Sequence, residues 1–107
     1  MKKRFIVRSQ AHRDILSQAE YYSQHSGDQL ASRFFDAAEA AYCFLLRHPS
    51  IGKPCRILRH RELGVREFGI TGFPRHIVIY RAIPEGIEII RVVHASRDLE
   101  TLLEASL

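Results

Sequence analysis

Apolar side chains recur along this chain in two rhythms. Phe5-Ile6-Val7 is a short β-prone run and predicts a first strand. Beyond it, Ala11, Ile15, Ala19 and Tyr22 recur at helical spacing, with Gln10, Arg13, Asp14, Gln18 and Glu20 on the opposite side. Ser9 stands where an N-cap belongs, and Ser26-Gly27 is the expected stop, because glycine accepts the left-handed backbone after a last helical turn. Asp28 is the next expected N-cap. Leu30, Phe34, Ala37, Ala41 and Phe44 then share a face that Ala38, Tyr42 and Leu45 widen. Pro49 ends this second helix, since the residue before a proline disfavours the α region. So short a link forces the helices into an αα-hairpin, and Ala37, Ala38, Ala40 and Ala41 allow close approach.

Residues 49–63 have no clear period and read as a basic loop. After them the rhythm is that of β-structure: residues 65–70 as one strand, 76–82 as a second and 87–93 as a third. Thr71-Gly72-Phe73-Pro74 and Pro84-Glu85-Gly86 supply the turns, and strands joined so briefly form an antiparallel meander. Leu99, Leu102 and Leu103 suggest one or two closing helical turns, with Ser96 as their N-cap. The expected fold is α+β in the order β-α-α-β-β-β. An N-terminal helical hairpin packs on an antiparallel sheet, and a short helical turn follows.

Length and composition narrow the class. The 107 residues suit one domain, residues 1–107, and 46% hydrophobic with 26% charged residues is ordinary for a globular protein. No apolar run approaches the roughly 20 residues that span a bilayer. The N-terminus begins basic, but its apolar run of three ends at Arg8, which is no export signal, so the cytoplasm is expected. The net charge of +4 is uneven. Lys2, Lys3, Arg4 and Arg8 form one basic block. Arg47, Lys53, Arg56, Arg59, Arg61 and Arg66 against Glu62 form a second, and the rest is mildly acidic. Such blocks suit an anionic partner or serve solubility. Cys43 and Cys55 lack metal-type spacing and are expected reduced, with Cys43 packed inertly in the core. No metal or cofactor is expected. No helix-turn-helix, RNP or zinc motif supports direct sequence-specific nucleic-acid binding.

Several segments in order resemble the ParE/RelE superfamily, the toxins of bacterial type II toxin–antitoxin modules. They include the basic first strand and residues 11–22. Pro49-Ser50-Ile51-Gly52 is similar to the family's P-x-x-G loop, and Gly64-Val65-Arg66 to its G-x-R strand start. Residues 73–81 resemble its strand with Pro74, Tyr80 and Arg81, and residues 89–98 the ending that carries His94, Arg97 and Asp98. Ala95 stands where a glycine is usual. The ending is that of the ParE branch, the plasmid-stabilisation type. The resemblance implies a toxin that poisons DNA gyrase, blocks replication and arrests growth. It implies a cognate antitoxin, held in a hetero-oligomer, that neutralises it. The RelE branch instead implies a ribosome-dependent mRNA endoribonuclease.

The residues bear on both readings. RNA cleavage needs a base, a proton donor and cations on the phosphorane. His60, His76 and His94 supply imidazoles for acid–base work, Arg59, Arg66 and Arg81 suit phosphate, and Tyr80 suits a stacked base. A concentrated acid–base set is missing, so no catalytic residue is assigned. The plainer roles are structural: His94 as a backbone partner or cap, Arg66 and Arg81 as ion-pair partners, Asp98 at a helix start and Arg97 with a partner of its own. For an acidic, partly disordered antitoxin segment, the expected contacts are Tyr21, Tyr22, Phe35, Arg56, Arg59, Arg61 and Arg66. Packing is the alternative for the aromatic ones.

Overall fold

Phe5-Ile6-Val7 forms strand β1 (Arg4–Val7), which leads into helix α1 (Ser9–Ser26). The computed structural model describes residues 2–95 and 98–104. Ser9 is drawn inside α1; Arg8 holds the cap position with extended backbone, and its side chain does not cap the helix. Gly27, at φ +97°, ends α1 and opens α2 (Asp28–Arg47), so Asp28 lies one position inside its expected cap and takes a bond from the Ser23 hydroxyl. The expected N-cap Ser96 lies outside the described residues.

The apolar stripe of α1 is as expected, with Ala11, Ile15 and Ala19 buried. That of α2 is turned by about one position: Ala31, Phe34, Ala38, Ala41, Tyr42 and Leu45 are buried, while Ala40 is exposed. This rotation corrects the placing of Cys43. It lies two residues, about 200° of helix, from both Ala41 and Leu45, and so faces outward. Cys55 is the buried thiol.

The segment read as a loop contains a two-residue strand, β2 (Lys53–Pro54), and a short helix, α3 (Leu58–Glu62). The meander follows as β3 (Arg66–Ile70), β4 (Phe73–Ile83) and β5 (Gly86–His94), then helix α4 (Leu99–Leu103). Strand order is β1-β5-β4-β3-β2. The meander is antiparallel as expected, and β2 adds to it antiparallel. β1 instead lies parallel to β5, Arg4 opposite Gly86 and Val7 opposite Ile89, so the sheet is mixed. The two helices run out and back, and the meander then returns its last strand beside the first in the same direction.

The sheet has an apolar layer on each side. Ile70, Val78, Tyr80, Ile87, Ile89 and Val92 meet the helical hairpin. Ile79, Ile90 and Val93 meet Cys55, Val65, Leu99 and Leu103 on the other face. Two burials explain why residues 87–93 read as a nearly unbroken apolar run. A bulge leaves Ile90 unpaired, since Ile79 faces Arg91 and Tyr80 faces Ile89. Among the described residues no helix is long and apolar enough to cross a membrane.

Candidate functional site

The residues singled out for chemistry are dispersed by the fold. Tyr80 is fully buried, and its hydroxyl closes the loop before β2. It donates to the Pro49 carbonyl at 2.8 Å and accepts from the Gly52 N–H at 2.9 Å. Burial raises its pKa, against the Gly52 bond and the Arg66 charge that lower it. Arg66, its cross-strand neighbour, donates to the Gly52 carbonyl at 2.7 Å. A Cβ on Gly52 would sit 2.5 Å from the Tyr80 hydroxyl and 2.8 Å from the Glu67 carbonyl, so this position has room only for glycine. The P-x-x-G, G-x-R and Tyr motifs therefore converge on one internal clasp. The stacking role considered for Tyr80 is overturned: no face of its ring is open to a base.

Arg81 follows Tyr80 on β4 and so points to the other face of the sheet. There it donates to Glu88 at 2.9 Å, and Arg8 reaches the same carboxylate at 3.0 Å. The hydrogen bond from Arg8, then that from Arg81, hold the Glu88 carboxyl below its ordinary pKa against the opposing effect of burial. Arg81 thus takes its plainer role as an ion-pair partner. His94 lies at the far end of the sheet, paired with His76. Four residues of β4 separate His76 from Tyr80, about 13 Å along the strand. The five nuclease candidates, Arg59, Arg66, Tyr80, Arg81 and His94, share no site.

The basic segment is partly internal as well. Arg56 forms a fork with Glu67, Nη2 to Oε1 at 2.8 Å, and its backbone N–H adds a third bond at 2.7 Å. The Glu67 side chain is almost wholly buried, which alone would raise its pKa, but the bonds from Arg56 bring it below the ordinary value. Arg61 donates to the Cys55 carbonyl. Arg59 is exposed on α3, and Gly64, at φ +83°, turns the chain from α3 into β3. His60 is buried and bonded to the Leu103 carbonyl at 3.0 Å.

One cluster does line open space. His76 is buried at the end of β4, and the Tyr22 hydroxyl lies 2.8 Å from its Nε2. Its ring meets Phe34 edge-on at 5.0 Å and His94 edge-on at 5.7 Å. Burial first, and the nearby His94 charge second, depress its pKa. A cleft of about 610 Å³ runs past it, lined by Gln18, Tyr21, Tyr22, Phe73, Arg75 and His94, with the exposed Pro74 on its rim. The sequence had singled out the two tyrosines and the two histidines without joining them. Phe73 and Arg75 were missed as lining, although the Phe-Pro turn motif flagged their neighbourhood.

The expected antitoxin contacts also divide. Tyr21 is 54% exposed, stacked on His25, and Phe35 is 41% exposed. Tyr22 points inward to the cleft floor. Arg97 lies outside the described residues, and Asp98 caps α4, accepting from the Thr101 N–H and hydroxyl. Among the described residues no three His, Cys, Asp or Glu side chains gather as a metal site would require.

Comparison with known proteins agrees with the fold. A chain of the structure titled "Chromosomal ParDE TA system from P. aeruginosa" superposes with a TM-score of 0.73 over 88% of this chain and 97% of its own length, at 16% identity. No curated protein matches the chain. The family model described as the ParE toxin of the type II toxin–antitoxin system parDE matches residues 5–99. With that match covering most of its length, this chain belongs to the ParE toxin family.

Proposed function

We propose that the chain is a toxin that acts by binding DNA gyrase in the cytoplasm, and that a cognate antitoxin neutralises it. One observation carries the choice of binding over catalysis. Tyr80, Arg66 and Arg81, which nuclease chemistry on this sheet would use, are engaged in internal contacts on opposite faces. A nuclease needs those groups converging on one phosphate. Gyrase as the target follows from the branch of the family that the chain's ending resembles.

The antitoxin reading rests on surface. Leu16, Tyr21 and Phe35 are large apolar side chains left exposed on the hairpin. Arg59, exposed on α3, and the outer part of Arg56, which follows β2, add positive charge to the surface. An acidic segment that folds on binding satisfies both.

The experiment is direct. Purified protein added to gyrase and relaxed plasmid should inhibit supercoiling or trap cleaved DNA, and the antitoxin should reverse it. An unaffected gyrase together with cleaved ribosome-bound mRNA would establish the endoribonuclease instead. Induction without antitoxin should arrest growth; unhindered growth would leave a protein that only binds its antitoxin. His94→Ala should keep the toxicity.

A further inference from the structure

Arg91 joins three layers of the molecule at one guanidinium. Its Nε and Nη2 form a two-pronged pair with Asp14 of α1, at 2.8 and 2.9 Å. Its Nη1 reaches across to the carbonyl of Leu102 in α4, at 3.0 Å. Asp14 also accepts from the Val92 N–H at 3.0 Å, so the carboxylate is held by the backbone of β5 as well. Both side chains are nearly nine-tenths buried. The bulge at Ile90 makes this possible. It advances β5 by one residue, so that Ile90 and Val93 serve the α4 side while Val92 serves the hairpin side.

We infer that Arg91 is a positioning residue that couples the seating of α4 to that of α1. Helix α4 is only five residues long and has little stability of its own. It is held by Leu99 and Leu103 in the second apolar layer, and by two side chains on its last carbonyls, Arg91 on Leu102 and His60 on Leu103. The Arg91 fork is fixed in direction by Asp14. When α1 shifts, the fork loses its anchor, its bond to the Leu102 carbonyl goes with it, and α4 is loosened from the sheet. Release uncovers the strip Cys55, Ile79, Ile90 and Val93. The coupling is reciprocal, as any linkage between two equilibria must be. A partner seated on the hairpin therefore controls an apolar surface on the opposite face. This inference stands independently of what the toxin targets.

The chain carries its own reporter. Cys55 is fully buried in the layer that α4 covers, and Cys43 is exposed on α2. Maleimide labelling followed by mass spectrometry gives a rate for each thiol in the full-length protein. Asp14→Asn, a change on the α1 side of the sheet, should speed labelling of Cys55 by about tenfold or more, the scale of one charge-assisted hydrogen bond. Cys43 should label as before, and the gain at Cys55 should exceed the change in the global unfolding constant measured in urea. Arg91→Lys keeps the charge beside Asp14 but lacks the fork, and should give the same pattern should Asp14→Asn fail to fold. Glu20→Gln, an exposed change on α1, should leave both rates alone. The inference fails if Cys55 stays as protected as in wild type in both junction variants. It fails equally if its rate rises only in step with global unfolding.

Discussion

Tyr80→Phe separates a structural tyrosine from a catalytic one. The ring is unchanged and stays buried; only the hydroxyl is lost, and with it both bonds of the clasp. Gly52 is itself buried, so its N–H is left without an acceptor, a cost of about 1–3 kcal/mol. Losing the bond to the Pro49 carbonyl adds about 0.5–1.5 kcal/mol. The sum, about 1.5–4.5 kcal/mol, is a large share of the roughly 5–15 kcal/mol that holds a domain folded. At about 4–8 °C per kcal/mol for a chain near this size, even the lower figure lowers Tm by about 6–12 °C. Tyr42→Phe is the matched control. Its hydroxyl is buried and has no hydrogen-bond partner among the described residues, so removing it should be neutral or stabilising. Urea unfolding of the two variants beside wild type measures both effects. Induction at a temperature where Tyr80→Phe stays folded should still arrest growth. Equal stability of the two variants would refute the clasp, and a stable but harmless Tyr80→Phe would return Tyr80 to the active chemistry.

Three other outcomes are expected. His76 has a folded-state pKa below its unfolded value near 6.5, so the unfolded chain takes up the proton first; stability is full above that value and falls as the pH drops from it through the folded pKa. Urea midpoints at pH 7.5 and 5.5 should show that loss in wild type and less of it in His76→Gln. For Glu67, whose pKa is depressed, stability is present above the ordinary carboxylate range and lost as the pH falls through the folded value. Arg56→Met removes the fork that depresses it, and should move acid unfolding to higher pH; an unmoved acid limb would refute the pairing. Association with the antitoxin should slow by at least about tenfold on raising salt, measured by stopped flow, since basic residues steer an acidic segment.

The fold was legible where the apolar period was long and one-sided. Ala11, Ile15 and Ala19, and the meander with its Pro84-Glu85-Gly86 turn, need no tertiary information. Helix α3 was hidden because five residues hold too few turns for a period to show. The parallel partner of β1 was hidden because a three-residue apolar run fits beside any strand; which one depends on where the hairpin returns the chain. Cys43 was misplaced in the core, and the burial of Cys55 went unseen, for two reasons. The α2 stripe is turned by one position, and a second apolar layer exists that residues 79, 90 and 93 fill from the far side. The site was harder still. Arg66, Tyr80 and Arg81 look equally suited to phosphate and to internal bonds. Only the return of the Pro49–Gly52 loop, and Glu88 standing opposite Arg81, decide between them.

The parallel pairing of the first strand with the last has a consequence for synthesis. Arg4 waits for Gly86 before β1 has a neighbour, and β5 is a central strand of the sheet. At about 5–20 residues per second, the ribosome needs roughly 4–16 s to make the intervening chain. The helical hairpin has local contacts and forms early, but the sheet cannot assemble around a strand not yet made. A nascent or prematurely ended chain therefore lacks the folded surface that any target must meet. A toxin with this topology is withheld in its folded form until β5 has left the ribosome.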